Sequence, residues 1–456
     1  MNARHGLITA SAWILIAPQA IALGQPSFQR LGDLPGGVTL SAPWAISDDG
    51  LIVVGESYDS DSRVAFLWTA ENGMISLGSL PGGASSLAYG ISADGSVVVG
   101  RANSEDSVPN YEPFRWSAEE GMVGLGDLPG GVFIGVAHGA SANGGVIVGY
   151  SGVSQGSEAF CWTHSEGMIG LGHLPGGFTV SRAHATSADG SVIVGYSWVD
   201  ANFEEAFRWT ADEGMVGLGG LPGGSSPTIA NDVSADGSVI VGRSGTTNGS
   251  QAFRWTATDG MVGLGDLPGG PTLSNAFAIS ADGTTIVGGG CTEWDFPPYP
   301  CSSTEPFIWD ADHGMRNLSE VLVDVYGLDL SDWDLTHARD TSADGLTIVG
   351  VGFVQGPPFP HFEAWLVRLP DCNANGQADD LDILDGDSLD INDNVIPDEC
   401  ECLADLGGDG EVGPSDLAQL LGNWGPCDGC PGDLDGDGAI GPFDLALLLG
   451  SWGPCS

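Results

Sequence analysis

Near the end of the chain, Asp433-Leu434-Asp435-Gly436-Asp437-Gly438-Ala439-Ile440, followed by Asp444, sets side-chain oxygens at positions 1, 3, 5 and 12 of a loop with glycine at position 6. Carboxylates at that spacing converge where the chain turns sharply at the glycine, and position 7, Ala439, adds a backbone carbonyl. An all-oxygen cage of this size suits a hard cation, so Ca2+ is the expected ion. A sister loop begins 28 residues earlier, with Asp405, Asp409, Gly410, the Glu411 carbonyl and Asp416; Gly407 stands at its position 3, where water must fill the site. Two more oxygen-rich runs precede these. Asp371, Asn373, Asn375, Asp379 and Asp382 form the first; Asp390, Asn392, Asn394, Asp398 and Glu401 form the second, with Val395 in place of the turn glycine.

From Asp371 onward there are 20 acidic residues and no basic one. Such a run is often a solvated tail, but the regular oxygen and glycine spacing argues for folded cation sites. After each of the last two loops comes a stripe at helical spacing, Leu417, Leu420, Leu421 and Trp424, then Leu445, Leu448, Leu449 and Trp452. Two short helices are expected to bury these stripes together, supported by metal and disulfides. A duplicated calcium loop, each with a single helix, resembles the type I dockerin family over Glu401 to Ser456, which implies docking onto a cohesin-like or other extracellular protein. Pro414-Ser415 and Pro442-Phe443 replace the small hydroxyl pairs through which that family is usually recognised. The stretch 371–400 resembles thrombospondin type 3 calcium repeats, which implies a stalk stiffened by calcium.

What positions this tail is a repeat. Leu-Pro-Gly-Gly begins at Leu34, Leu80, Leu128, Leu174, Leu221 and Leu267, a spacing of 46 to 48 residues. Between these marks run a Ser-x-(Asp/Asn)-Gly hairpin at Ser47, Ser92, Ser141, Ser187, Ser234, Ser280 and Ser342, a Val-Val-Gly strand, and a Phe-x-Trp strand. Four short strands per repeat is the size of a propeller blade. The seventh copy, at Glu363-Ala364-Trp365, reaches Pro370 without a fourth strand, while the mature chain is expected to start with a spare one, Phe28 to Leu34. The expected fold is all-β, a seven-bladed β-propeller closed by the N-terminal strand, followed by a small α-helical dockerin-like calcium-binding domain. Its repeat phrases resemble the extracellular HAF repeat family over residues 28 to 370, which implies secretion and repetition but no activity.

Within this scaffold, variation marks candidate function. Three residues before each hairpin serine stand Trp44, Tyr89, His138, His184, Asn231, Phe277 and Arg339, a polar and aromatic set on the strand nearest the axis, where a ligand would be lined. His138 and His184 are a candidate metal pair. Their neighbours are small except Asp232 and Asp340, the only unusual carboxylates. Arg115, Arg208 and Arg254 are expected to lie along the sheet with their heads paired to carboxylates. Two insertions break the period, the stretch Cys291 to Cys301 carrying Trp294, Phe296 and Tyr299, and Leu318 to Leu335. No nucleophile elbow, zinc-protease helix or phosphate loop occurs.

With 12 basic residues, all arginine, against 60 acidic ones, the chain carries a formal charge of -48 and would repel nucleic acid and anionic membranes. Arg4, an apolar run from Leu7 to Leu23 and small residues at Ala20, Ala22 and Gly24 read as an export signal, so no membrane span is expected in the mature chain. Nine cysteines suit an oxidising compartment, with Cys161 left as a free, half-buried thiol. Cys402, Cys427, Cys430 and Cys455 leave two pairings open, 402–427 with 430–455, or 402–455 with 427–430. The expected organisation is residues 1–24 signal, 25–370 propeller, 371–400 calcium-binding linker and 401–456 dockerin-like module. The functional expectation is a secreted or cell-surface calcium-binding scaffold, non-enzymatic, with an extracellular protein or glycan as partner. The alternative is a glycoside hydrolase-type enzyme of polysaccharide degradation, acting through Asp232 and Asp340; no catalytic residue is assigned.

Overall fold

A computed structural model describes residues 25–60, 62–107, 110–176, 178–200, 203–224, 227–294, 301–356, 359–390, 395–407, 411–427 and 430–454. The leader at 1–24, Phe296, Tyr299, Asn392, Asn394, Asp409, Gly410 and Cys455 lie outside the described residues, as does the side chain of Trp294.

Each repeat folds as an antiparallel four-stranded sheet; blade 2, for example, runs Ser86–Ile91, Val98–Ala102, Glu112–Ser117 and Gly121–Gly124. Seven such sheets form, and in the seventh the strand Ser27–Arg30 pairs with His361–Arg368 as its outermost member. The N-terminal strand therefore closes the propeller and covers an edge that would otherwise be open to pairing. Phe28 packs edge-on to Trp333 at 5.1 Å, and Arg30 grips both oxygens of the buried Glu363.

The hairpin repeats because its polar groups satisfy one another. In all seven copies the serine Oγ donates to the Asp or Asn two residues on and accepts the amide five residues on, at 2.9–3.0 Å. At the Asp-Gly pair only the glycine takes positive φ, as at Gly95 with φ +71°. The four-residue loop, Ala93 to Ser96, is closed by Gly95 N to Ser92 O at 2.8 Å. Amides at these turns also join blade to blade around the axis. Asp48 donates to Ala93, Asp94 to Ala142, Ala142 to Ala188, Ala188 to Ala235, Ala235 to Ala281, Ala281 to Ala343, and Ala343 back to Asp48, at 2.9–3.4 Å. Seven bonds close the ring.

Packing lies between blades. Phe66, Phe114, Phe160, Phe207, Phe253 and Phe307 are fully buried, and in blade 7 Trp365 takes this place. Each burial contributes roughly 1.5–3 kcal/mol. The glycine of the Val-Val-Gly strand is the other half of that contact, since a Cβ on Gly100 would lie 2.8 Å from the Phe114 ring. The insertion after blade 6 forms a short helix, Leu318–Glu320, that runs on through Val321–Val325 and buries Leu318 and Leu322.

Beyond the propeller, the helix Asp379–Asp385 lies against blades 6 and 7. Its Asp380 accepts from Tyr326 and Arg316, Asp385 meets His313 at 3.2 Å, and Ala378 just before it joins the apolar cluster around Trp365. Farther on, the helices Pro414–Gly422 and Pro442–Gly450 pack with Leu420 and Leu448 fully buried between them. Two-residue strands tie the halves, Glu411–Val412 with Gly453–Pro454 and Gly425–Pro426 with Ala439–Ile440. Cys427 pairs with Cys430, which excludes the 402–427 alternative, and Cys291–Cys301 and Cys372–Cys400 are also bridged. Cys161 is free and half-buried.

The expected helix stripes are only partly buried. Leu421, Trp424, Leu449 and Trp452 stand 46–52% exposed, joined by Leu447 and by Phe443 at 73%. Nine-residue helices meet over about two turns, so Leu417, Leu420, Leu445 and Leu448 share that contact and the ends of the stripes remain in water.

Candidate functional site

The seven axial residues are aimed by one device. In every blade the first strand has a β-bulge, the pairing skipping between Pro43 and Ala45, Ala88 and Gly90, Ala137 and Gly139, Ala183 and Ala185, Ala230 and Asp232, Ala276 and Ala278, and Ala338 and Asp340. The skipped residues are Trp44, Tyr89, His138, His184, Asn231, Phe277 and Arg339, and a bulge re-aims such a side chain.

Neighbouring members then touch around the axis. Trp44 meets Tyr89 at 5.4 Å between ring centroids, Tyr89 meets His138 at 5.3 Å, and His138 meets His184 at 5.3 Å. Asn231 reaches across to blade 6, donating to Asn275 Oδ1 at 2.8 Å and Ala276 O at 2.7 Å. Arg339 closes the circle, stacked over Phe277 at 5.0 Å and over Trp44 at 4.7 Å. Burial holds the His138 imidazole well below its ordinary range and pulls His184 down to about 4, with nearby arginines adding to both shifts. Both rings are therefore neutral at neutral pH. His184 Nδ1 lies 3.0 Å from Ala230 O, and among the described residues no third ligating side chain joins the pair.

A second tier, missed in the sequence, stands on the adjoining strand. The residue after each Val-Gly of the second strand is Glu56, Arg101, Tyr150, Tyr196, Arg243, Gly289 and Val351, as varied as the first ring and readable by the same signal. Arg101 stacks over Tyr111 at 4.3 Å and lies 5.8 Å from Tyr89. Arg182 stacks over Tyr150 at 4.3 Å and lies 6.0 Å from Tyr196. This arrangement offers guanidinium forks and aromatic faces together.

Asp232 and Asp340 lie toward the hairpin end, lining an axial cavity of about 150 Å³. Asp232 accepts the Val233 amide at 2.8 Å and the Ile279 amide of the next blade at 3.0 Å. Asp340 accepts Thr341 at 2.9 Å and Ile46 of blade 1 at 2.8 Å. Burial pushes Asp232 up to about 6 and Asp340 well above the usual carboxylate range. Their oxygens clip blade to blade, a structural role. On the outer strands Arg115, Arg208 and Arg254 each pair with a carboxylate, Glu120, Glu213 and Asp259.

In the tail, three loops share one backbone pattern: the position-6 amide donates to the position-1 carboxylate, Gly376 to Asp371 at 2.9 Å, Val395 to Asp390 at 2.8 Å and Gly438 to Asp433 at 2.9 Å. Val395 adopts φ +68°, the turn that glycine provides in the other two. Ligating oxygens of Asp433, Asp435 and Asp437 lie within 4.8 Å of one another. At position 12, Asp444 and Asp416 are buried and oriented by loop amides, while Asp382 is buried and accepts from Asn373 and Asn375. Asp379, at position 9 of the first loop, is buried with Oδ2 unpartnered, an oxygen that a cation would satisfy. This oxygen-only set fits a hard cation. The described members of the remaining sets, Asp398 and Glu401 in one and Asp405 and Glu411 in the other, all engage partners. One further convergence, Asp33, His361 and Glu363, is tied to Arg30 at the closure.

No family model and no curated protein matches this sequence. Among solved structures, the oligogalacturonate lyase of Vibrio parahaemolyticus is similar at TM-score 0.48 and 12% identity, covering 77% of this chain and 99% of that one. The β-propeller domain of the Trilobed protease from Pyrococcus furiosus gives 0.43 and 13%, over 72% and 94%. TolB from Acinetobacter baumannii gives 0.41 and 11%, over 59% of this chain and 63% of its own length. The fold and axial site together define a seven-bladed β-propeller with an aromatic and basic axial mouth.

Proposed function

We propose that the protein is a secreted, calcium-binding scaffold whose propeller presents its axial mouth to a ligand and whose calcium-loaded C-terminal module attaches it to an extracellular or cell-surface assembly. The observation that carries this reading is the apolar surface left open on and just beyond the two terminal helices, Leu421, Trp424, Phe443, Leu447, Leu449 and Trp452. In a chain of charge -48, six large apolar side chains on one small module are a docking surface for another protein. The acidic loops beside them support calcium as the agent that holds those helices in place.

The reading is tested by retention of the full chain on cell-envelope fractions with calcium or with chelator, beside a Trp424→Ser/Trp452→Ser variant. Calcium-dependent retention lost in the variant is the expected outcome. Equal binding with chelator, or undiminished binding by the variant, would refute it.

A further inference from the structure

Eleven arginines lie among the described residues, and their partners divide them sharply. Six are ion-paired: Arg30, Arg63, Arg115, Arg208, Arg254 and Arg316. Arg368 donates to Gly50 O at 3.1 Å. The remaining four, Arg101, Arg182, Arg243 and Arg339, have no carboxylate within ion-pair distance among the described residues, and all four belong to the axial mouth. Acidic residues outnumber basic ones 60 to 12, so cations left without counter-charge at one place are not a shortage of acids. Glu56, whose charge reaches Arg339, is itself ion-paired to Arg63. Stacking on the aromatic rings offsets part of the desolvation of these partly buried cations, and an anion from outside would offset more. Arg182 Nε is buried with no hydrogen-bond partner. Tyr150 lies beneath Arg182 and within the field of Arg101, so forks and flat faces alternate.

We infer that the axial mouth binds a small, ring-bearing organic oxyanion, its carboxylate, sulfate or phosphate held by Arg101 and Arg182 and its ring laid on the neighbouring tyrosines. The inference rests on the proposal that the axial face is the propeller's binding surface, and is independent of calcium binding by the tail.

Calorimetry on the full chain with a glucuronate disaccharide, a sulfated disaccharide and a nucleoside monophosphate, each beside its neutral counterpart, separates the three oxyanions. At least one anion should bind at least tenfold tighter than its neutral form. Arg182→Gln and Arg101→Gln should each weaken it about tenfold, and Arg208→Gln should not. Unchanged melting of each variant shows that the fold is intact. Equal binding of anion and neutral form overturns the anion inference while leaving the axial binding surface in place. No binding of any probe by intact protein overturns both.

Discussion

Asp232→Asn separates a structural clip from a reactive carboxylate. In the folded protein, burial raises Asp232 to about 6, from an ordinary value of 3.8. The shift is upward for an acid, so the folded state holds the proton more tightly than the unfolded chain. The associated stability is fully present below the unfolded value and is lost as pH rises through about 6. Two units correspond to about 3 kcal/mol. Asparagine does not titrate, so the variant escapes that loss, but its amide can accept only one of the two amides that Asp232 holds at 2.8 and 3.0 Å. The lost bond and the unmatched donor cost about 1–3 kcal/mol at every pH. The variant should therefore be clearly less stable than wild type at pH 4 and near parity at pH 7.5. Urea melts across that range, in chelator so that the tail contributes equally, give the difference directly. Parallel stability curves, with no swing toward the variant as pH rises, would refute the assignment.

Arg30→Met strips the cation from Glu363, whose side chain is 3% exposed; because Arg30 itself is 53% exposed, the expected loss is about 1–2 kcal/mol, largely recovered in Arg30→Met/Glu363→Gln and read by urea denaturation. Phe207→Ala, at a fully buried ring between blades 3 and 4, should cost about 3–5 kcal/mol and lower Tm. Val395→Gly relieves a β-branched residue of its φ of +68° and should tighten calcium binding at that loop about fivefold in a calcium titration, with no change at the loop of Asp433.

Much of the propeller could be read because its turns are chemically explicit. Ser-x-Asp-Gly states its own hydrogen bonds, and the unmatched strand at Phe28 finds the unmatched edge beside Trp365. The ring from Trp44 to Arg339 was visible as variation at a fixed position, though the bulge that aims it is a property of strand pairing. Arg101 and Arg243 carried the same signal one strand later, but their lack of carboxylate partners exists only in three dimensions. Asp232 and Asp340 looked unusual without showing why, since the amides they hold lie 47 and 294 residues away. Helical spacing overstated burial at Trp424 and Trp452, because periodicity names a face and not how far a short partner covers it.

Calcium retention by the tail is tested most directly by calorimetric titration of the decalcified full chain with Ca2+, beside Asp433→Ala and Asp371→Ala. Saturable binding is predicted, with each variant losing sites relative to wild type. A flat titration, or stoichiometry unchanged by both substitutions, would contradict it.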